Sequence, residues 1–429
     1  MKNKLVKSTI ILLIGGFFTK ILGMIIRIVM TRTMGTEGIG IYMLLLPTFT
    51  LFIALAQLGF PVAISKLVAE DKHNNKNLVF SLIPISMAIN GFILIFLFFT
   101  SSFIANNLLH EERSYYGLLC MGFVLPFISI SSILRGYFFG KERMLPHVIS
   151  NVLEDIIRLV TLFLGIPIFL KSGIEYAVAF VVLSNVVSET TSILVLFFFL
   201  PKHFKLSKKD FVPHVSSMKE IFSISIPSTG SRLIGSVGYF LEPIILTTTL
   251  LHVGYSNQFI VTEYGIIGGY VMPLLLLPSF FTGAISQALL PIVSKSYSRG
   301  KKVYTKSKIK QAIFFSLLVG IPATVIFLWI PEIPLRFIYN TEEGLSYIKV
   351  LAPICLLHYI QAPLTSSLQA MGKAKEAMLG TLGGMILRTL FLYFGCLLKI
   401  GMWGLVLATA SNIIYVTIHQ YRHVKKVLQ

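Results

Sequence analysis

The stretch "TKILGMIIRIVMTRTMGTEGIGIYML", residues 19–44, decides the fold class. It ends an apolar run that begins at Ser8 and is long enough for the about 20 residues that a membrane-crossing helix needs. The glycines of "GTEGIG" then predict a tight turn into a second apolar run. Lys20 and Arg27 lie seven residues apart and therefore share one face of the first helix. The stretch predicts a membrane helix that carries two cations on one side.

The composition extends this prediction to the whole chain. Of 429 residues, 55% are hydrophobic and 13% are charged, whereas about 25% of the residues in a soluble domain are charged. The mean hydropathy is +0.80. The first apolar run follows three lysines but is longer than the about 7–15 residues of a signal peptide's apolar region, so we expect a retained helix. Apolar length and loop positions predict an all-α integral membrane protein with about twelve transmembrane helices.

The net charge of +19 reflects the distribution of basic residues over the loops on the two sides of the membrane. Most of the 37 lysines and arginines fall in alternate predicted loops: the N-terminal lysines and the segments 66–76, 135–143, 202–219, 295–310, 373–375 and 422–426. Basic residues mark cytoplasmic loops, so we expect a multi-pass protein of the cell membrane with both termini in the cytoplasm. Anionic membrane lipids are the natural partners of these loops, and no nucleic acid is expected.

Repeated sequence words predict two halves. "TKILG" at 19–23 resembles "SRLIG" at 231–235, and "PVAISK" at 61–66 resembles "PIVSK" at 291–295. In the same order, "RLVTLFLG" at 158–165 resembles "RTLFLYFG" at 388–395.

We therefore predict an N-terminal six-helix lobe at 1–200, a cytoplasmic linker at 201–219 and a C-terminal six-helix lobe at 220–429. An even number of helices per lobe makes the repeat parallel, with a central cavity. Transporters of this kind bind substrate between the halves and alternate its access.

Several charges lie inside predicted spans, where each costs at least about 2.5 kcal/mol. The cations are Lys20, Arg27, Arg158, Arg232 and Arg388, and the carboxylates are Glu154, Asp155 and Glu242, with Glu189 as a less clear case. Glu154 and Arg158 are four residues apart and can pair. Arg27 either binds substrate or reaches the membrane interface. Because Lys20 and Arg232 occupy equivalent places in the two halves, we expect them to line the cavity and to bind an anionic headgroup.

Catalytic residues, cofactors and metal ligands are not predicted. The chain has no glycine-rich phosphate loop followed by lysine, and its histidines and cysteines have no metal-binding spacing. Cys120, Cys355 and Cys396 are expected to pack as small apolar residues. His358, the histidine deepest in a predicted span, is expected to be packed or hydrogen-bonded.

Three stretches carry a family resemblance: "KILGMIIRIVMTRTMGTEGIGIY" at 20–42, "LGFPVAISKLVAE" at 58–70 and "LRGYFFGKERMLPHVISNVLEDIIRL" at 134–159. They resemble the polysaccharide-biosynthesis transporters related to stage V sporulation protein B, in the multidrug/oligosaccharidyl-lipid/polysaccharide (MOP) exporter superfamily. The resemblance implies a two-lobed bundle with a cationic cavity, and by position it implies cavity roles for Lys20, Arg27, Glu154, Arg158 and Arg232. Members commonly have fourteen helices, whereas twelve are expected here, which leaves the path of a lipid tail open.

The resemblance implies a bacterial flippase that moves an undecaprenyl-pyrophosphate-linked oligosaccharide, a peptidoglycan precursor or a polysaccharide precursor across the membrane. Removal of product or an H⁺ or Na⁺ gradient would drive the movement. One alternative is a cation-coupled multidrug exporter with Asp155 or Glu242 as its protonatable group. The other is a non-transporting scaffold for glycan assembly in the cell envelope.

Overall fold

The computed structural model describes residues 2–70, 74–201, 208–213 and 215–429, which are helical almost throughout. The first nine helices are α1 (Lys2–Gln57), α2 (Phe60–Glu70), α3 (Asn75–Phe80), α4 (Leu82–Phe103), α5 (Tyr115–Gly140), α6 (Met144–Leu170), α7 (Ile174–Phe198), α8 (Val215–Val253) and α9 (Asn257–Gly265). The remaining helices are α10 (Met272–Leu275), α11 (Ser279–Ser298), α12 (Lys302–Trp329), α13 (Glu332–Tyr339), α14 (Leu345–Ala370), α15 (Ala374–Leu397) and α16 (Trp403–Leu428). Short π-helical segments extend α4 at Ile104–Leu108 and join α9 to α10 at Ile266–Val271.

The described helices account for twelve membrane crossings. Eight segments are long and apolar enough to span a bilayer, and the bent pair formed by α9–α10 and α11 adds a ninth. The first of the eight, Ile14–Glu70, contains two crossings because α1 bends at Gly35. The helices α6 and α16 also have spanning length, but α6 carries charges and α16 carries amide and imidazole groups within its apolar run. The predicted all-α membrane fold is confirmed.

The bend in α1 confirms the turn that the glycines of "GTEGIG" predict. Gly35 has φ 67° and ψ −174°, a backbone conformation that is nearly restricted to glycine. The two arms of α1 on either side of Gly35 form the first two crossings. The second arm ends at Gln57, and a turn with positive φ at Leu58 and Gly59 leads into α2.

Close contacts divide the chain into two compact units, Met1–Ile244 and Ile245–Gln429. In the first unit α5 is the central helix and packs against α2, α4 and α7, while α6 packs against α1 and α7. Its apolar core includes Phe60, Leu134 and Phe138. These side chains are fully buried, so α2 and α5 form a rigid base for the polar side chains one turn away.

The second unit repeats this packing order. Its central helix is α14, which packs against α11, α12 and α16, and α15 packs against α16. Each unit therefore contains a central helix with three neighbours in the same chain order, as a duplicated six-helix element requires.

The predicted lobe boundaries remain a prediction. The boundary between the two units falls inside α8, whereas the sequence places a linker at 201–219. Residues 202–207 and 214 of that predicted linker lie outside the described residues.

Candidate functional site: a charge network in α5, α6 and α7

Three helices of the first unit bring buried charges together around Arg135. Arg135 lies in the last two turns of α5, and its Nη2 donates to Glu154 Oε2 of α6 at 2.5 Å. The same nitrogen donates to Ser192 Oγ of α7 at 2.8 Å and lies 3.5 Å from Glu189 Oε2. One guanidinium group thus links all three helices.

Glu189 forms the α7 side of the network. Its side chain is 7% exposed, and its Oε2 accepts a hydrogen bond from Ser131 Oγ at 2.5 Å. Ser131 lies one turn before Arg135, so the two residues share a face of α5. A carboxylate this deeply buried needs such donors, since an unpaired charge in an apolar interior is strongly unfavourable.

Arg158 forms the α6 side. Its Nη2 donates to Glu154 Oε1 at 2.8 Å, which confirms the predicted i, i+4 pair. Its Nε and Nη2 both lie 3.3 Å from Ser188 Oγ of α7. Asp155 lies at the edge of the network, because its Oδ1 is 4.0 Å from Arg158 Nη1. Glu154 therefore uses both carboxylate oxygens and binds one arginine with each.

The described side chains of this network comprise three carboxylates and two guanidiniums. Charges in a weakly polarisable interior interact more strongly than charges in water, so each one depends on the exact placement of its partners. The arrangement holds α5, α6 and α7 in one register. In formal charge, it also has one more acidic group than basic groups.

The two predicted cavity cations with equivalent sequence positions both have exposed side chains. Lys20 lies on the first arm of α1, and Arg232 lies on α8. Arg232 Nη1 donates to Gln57 Oε1 at 3.0 Å, which is a neutral partner. Within the described part of the chain, neither cation has a carboxylate within 4.0 Å.

The other three predicted site residues lie on α1, α8 and α15. Arg27 is half-buried on α1, and its Nη2 lies 3.0 Å from Met43 Sδ on the second arm. Glu242 is buried on α8. Arg388 is half-buried on α15 in the second unit. Of the eight predicted site residues, Glu154, Asp155 and Arg158 are joined in one cluster by the contacts described above.

Arg135 is the functional candidate that the sequence interpretation missed. The prediction that Arg135 is a loop cation is wrong, because it lies inside α5 and bonds to Glu154. The available signal is the apolar sequence on either side of it, at 115–134 and 137–139. Glu189 is a less clear case in the sequence, because its partners on α5 lie more than fifty residues away in the chain.

The second unit has a neutral network in the corresponding place. Gln361 of α14 donates to Thr417 Oγ1 of α16 at 2.9 Å and to the Ile413 carbonyl at 3.0 Å. Thr365 of α14 donates to Gln420 of α16 at 3.0 Å. His358 lies 3.1 Å from Gln361 Oε1, so it is hydrogen-bonded as predicted. The central helix is thus joined to the last helix by charges in the first unit and by neutral groups in the second.

Cys120, Cys355 and Cys396 are free thiols, and the last two are buried. Among the described residues, no three histidine, cysteine or carboxylate side chains converge as metal ligands would.

Family models match most of the chain. The model described as "Polysaccharide biosynthesis protein" matches residues 5–297, and the MatE model matches residues 236–394. The second match overlaps the first over residues 236–297 and extends the matched range to residue 394. The two models together cover residues 5–394.

Curated relatives match along their length. Stage V sporulation protein B of Bacillus subtilis (strain 168) is 38% identical over 445 residues, with 100% of this chain and 85% of the relative covered. Lipid II flippase MurJ of the same organism is 24% identical, with 99% and 83% covered.

Solved structures give the same fold. An inward-facing multidrug resistance MATE family transporter of the MOP superfamily has a TM-score of 0.76 and 16% identity, with 95% of each chain covered. A MOP superfamily transporter from Pyrococcus furiosus has a TM-score of 0.62. The chain is therefore a membrane transporter that belongs to the polysaccharide biosynthesis protein family of the MOP superfamily.

Proposed function

We propose that this transporter is a flippase for a lipid-linked glycan with an anionic, pyrophosphate-type headgroup. It moves an undecaprenyl-linked oligosaccharide, a peptidoglycan precursor or a polysaccharide precursor across the bacterial cell membrane by alternating access. The sugars and the pyrophosphate pass through a polar pathway while the lipid tail stays in the bilayer. Both termini face the cytoplasm in this proposal, because the basic segments lie on that side.

The proposal rests on one observation, the solvent exposure of the Lys20 and Arg232 side chains without a nearby carboxylate. Both are exposed cations on apolar helices, and neither has a carboxylate within 4.0 Å among the described residues. A cation in the middle of a span is unfavourable by at least about 2.5 kcal/mol unless water or an anion meets it. An anionic headgroup in transit supplies that anion, and a guanidinium can bind two phosphate oxygens at once.

The relatives support the substrate class. Lipid II flippase MurJ matches 99% of this chain at 24% identity, and its name states that it is a flippase for lipid II. The matched family is described as one of polysaccharide biosynthesis. Similarity to multidrug transporter structures at 16% identity supports the fold and leaves the substrate open.

We assign Arg27, Arg158 and Arg388 as further binding cations along the same pathway. Arg158 differs from the other two because contacts with Glu154 and Ser188 hold its guanidinium in one orientation. It would therefore bind the headgroup at a fixed position. Glu154 is its charge partner. Asp155 and Glu242 are the candidates for coupling to H⁺ or Na⁺, since the network around Asp155 has an excess of one acidic group.

Reconstitution tests the proposal. Vesicles containing the protein should move a labelled undecaprenyl-pyrophosphate-linked glycan between leaflets, and Lys20→Ala with Arg232→Ala should abolish most of that movement. The matched control is Arg299→Ala with Lys301→Ala, which removes two exposed cations near the end of α11. Unchanged flipping in the first double variant would exclude the assigned headgroup site. Efflux of cationic drugs without glycan movement would favour the multidrug exporter, and a loss of glycan assembly with no transport activity would favour a scaffold.

A further inference from the structure

A groove between α15 and α16 of the second unit is not used by the proposed transport pathway. Its volume is about 680 Å³. The walls are apolar and include Phe391 of α15 and Leu407, Ile414 and Ile418 of α16. All four side chains are exposed, so the protein itself leaves the groove open along the side of the bundle.

One end of the groove is basic. His419, Arg422 and His423 line it there, and Lys425 and Lys426 follow on the next turn. The rings of His419 and His423 stack with their centroids 4.2 Å apart. Arg422 is exposed and has no carboxylate within 4.0 Å among the described residues.

The fold builds this end through close helix packing. A Cβ atom at Gly380 of α15 would lie 2.6 Å from His419 Nδ1, and one at Gly383 would lie 2.6 Å from the Tyr415 hydroxyl. The missing side chains let the polar groups of α16 lie directly over the α15 backbone. At the same end Glu376 Oε2 lies 3.4 Å from His423 Nε2 and fixes that ring. Arg422 is thus a cation lining the groove that has no carboxylate partner in the described part of the chain.

The apolar length of the groove matches one leaflet. From Leu407 to Ile418, α16 rises about 17 Å at 1.5 Å per residue. Half of a hydrocarbon core of about 30 Å is about 15 Å. An acyl chain that fills the groove therefore ends where the basic side chains begin, at the depth of a lipid headgroup.

We propose that this groove is a binding site for one anionic phospholipid of the bilayer, with an acyl chain along Ile414 and Ile418 and the phosphate at Arg422. The proposal is independent of the transported substrate. The preference for an anionic lipid follows from charge. A zwitterionic lipid has the same acyl chain, but its headgroup also places a positive group beside the Arg422 cation, which is unfavourable.

The first unit provides an internal comparison. Lys171 and Gly173 precede α7 as Lys399 and Gly401 precede α16, and both glycines have positive φ. Counting from these residues, the positions that match His419, Arg422 and His423 are Thr191, Leu194 and Val195 of α7. Among the described residues, these three positions of the first unit carry no basic side chain, so the α7 face should not select the headgroup.

Photolabelling in vesicles tests the site. The full-length protein is reconstituted with phosphatidylglycerol or phosphatidylcholine that carries a photoreactive group on one acyl chain, and the labelled peptides are identified by mass spectrometry. We expect phosphatidylglycerol to label the 407–423 segment about five-fold more than phosphatidylcholine, since one basic group near the membrane surface changes binding by about that factor. Labelling of α7 should be equal for the two lipids.

Arg422→Gln should remove most of this preference, and Ile414→Trp should reduce labelling by both lipids because the larger ring fills the groove. Arg299→Gln, a cation on the end of α11, should leave the preference unchanged. Equal labelling by the two lipids in the unmodified protein would overturn the proposal, as would an unchanged preference in Arg422→Gln. Preferential labelling by a polyprenyl phosphate probe would instead assign the groove to the tail of the transported lipid.

Discussion

Glu154→Gln is the substitution that most directly tests the charge network. Glu154 accepts from Arg135 at 2.5 Å and from Arg158 at 2.8 Å, and its side chain is 9% exposed. Glutamine keeps the shape but removes the charge, and its amide nitrogen cannot accept. Removing one partner of a buried ion pair costs about 3–5 kcal/mol, because the other partner stays buried without compensation.

The free energy of unfolding should be measured in mixed micelles at one fixed lipid composition. Asp155→Asn is the matched control, since it lies on the same helix and its Oδ1 makes a single contact of 4.0 Å with Arg158. We expect that control to lose less than about 1 kcal/mol. Adding Arg158→Leu to Glu154→Gln should restore part of the stability, because the second change removes one of the two cations that have lost their bond to Glu154.

Equal losses for Glu154→Gln and Asp155→Asn would refute the reasoning, because the central position of Glu154 would then have no energetic consequence. A double variant whose loss is the sum of its two single losses would also refute it. Residues joined in one network are expected to be non-additive.

Two further predictions concern single positions. Ser131→Ala removes the 2.5 Å hydrogen bond to the buried Glu189 carboxylate and should cost about 1–3 kcal/mol of unfolding free energy, whereas Ser298→Ala, whose hydroxyl is exposed, should cost less than about 0.5 kcal/mol. Gly35→Ala forces a side chain into a backbone conformation nearly restricted to glycine and should cost about 1–3 kcal/mol. Gly16→Ala, in the same helix and with no atom within 4 Å of the added methyl group, should be neutral or stabilising. A neutral Gly35→Ala would mean that the bend in α1 does not depend on glycine.

The sequence predicts the membrane fold well because the signal is local. The length of each apolar run is enough to predict a membrane span, and the glycines of "GTEGIG" predict the bend at Gly35. The pair Glu154 and Arg158 is likewise local, since four residues place two side chains on one helical face. These features need no knowledge of how helices pack.

The rest of the site depends on contacts between distant segments. Arg135 and Glu154 are separated by a helix end and a turn, and Glu189 reaches Arg135 only after α6 and α7 have packed against α5. A cation near a predicted loop fits a topological role and a network role equally well, so Arg135 was assigned to the loop. The basic groove was missed for a similar reason, because its polar end depends on α15 glycines lying under α16 side chains.

The central claim is that exposed intramembrane cations bind the headgroup of a transported lipid. Its most direct test is the transbilayer movement of a labelled undecaprenyl-pyrophosphate-linked glycan in vesicles, compared between the unmodified protein and Lys20→Ala/Arg232→Ala. We predict rapid movement with the unmodified protein and a loss of most of that movement in the variant, with equal amounts of folded protein in both membranes. Equal rates of movement for the two proteins would contradict the claim.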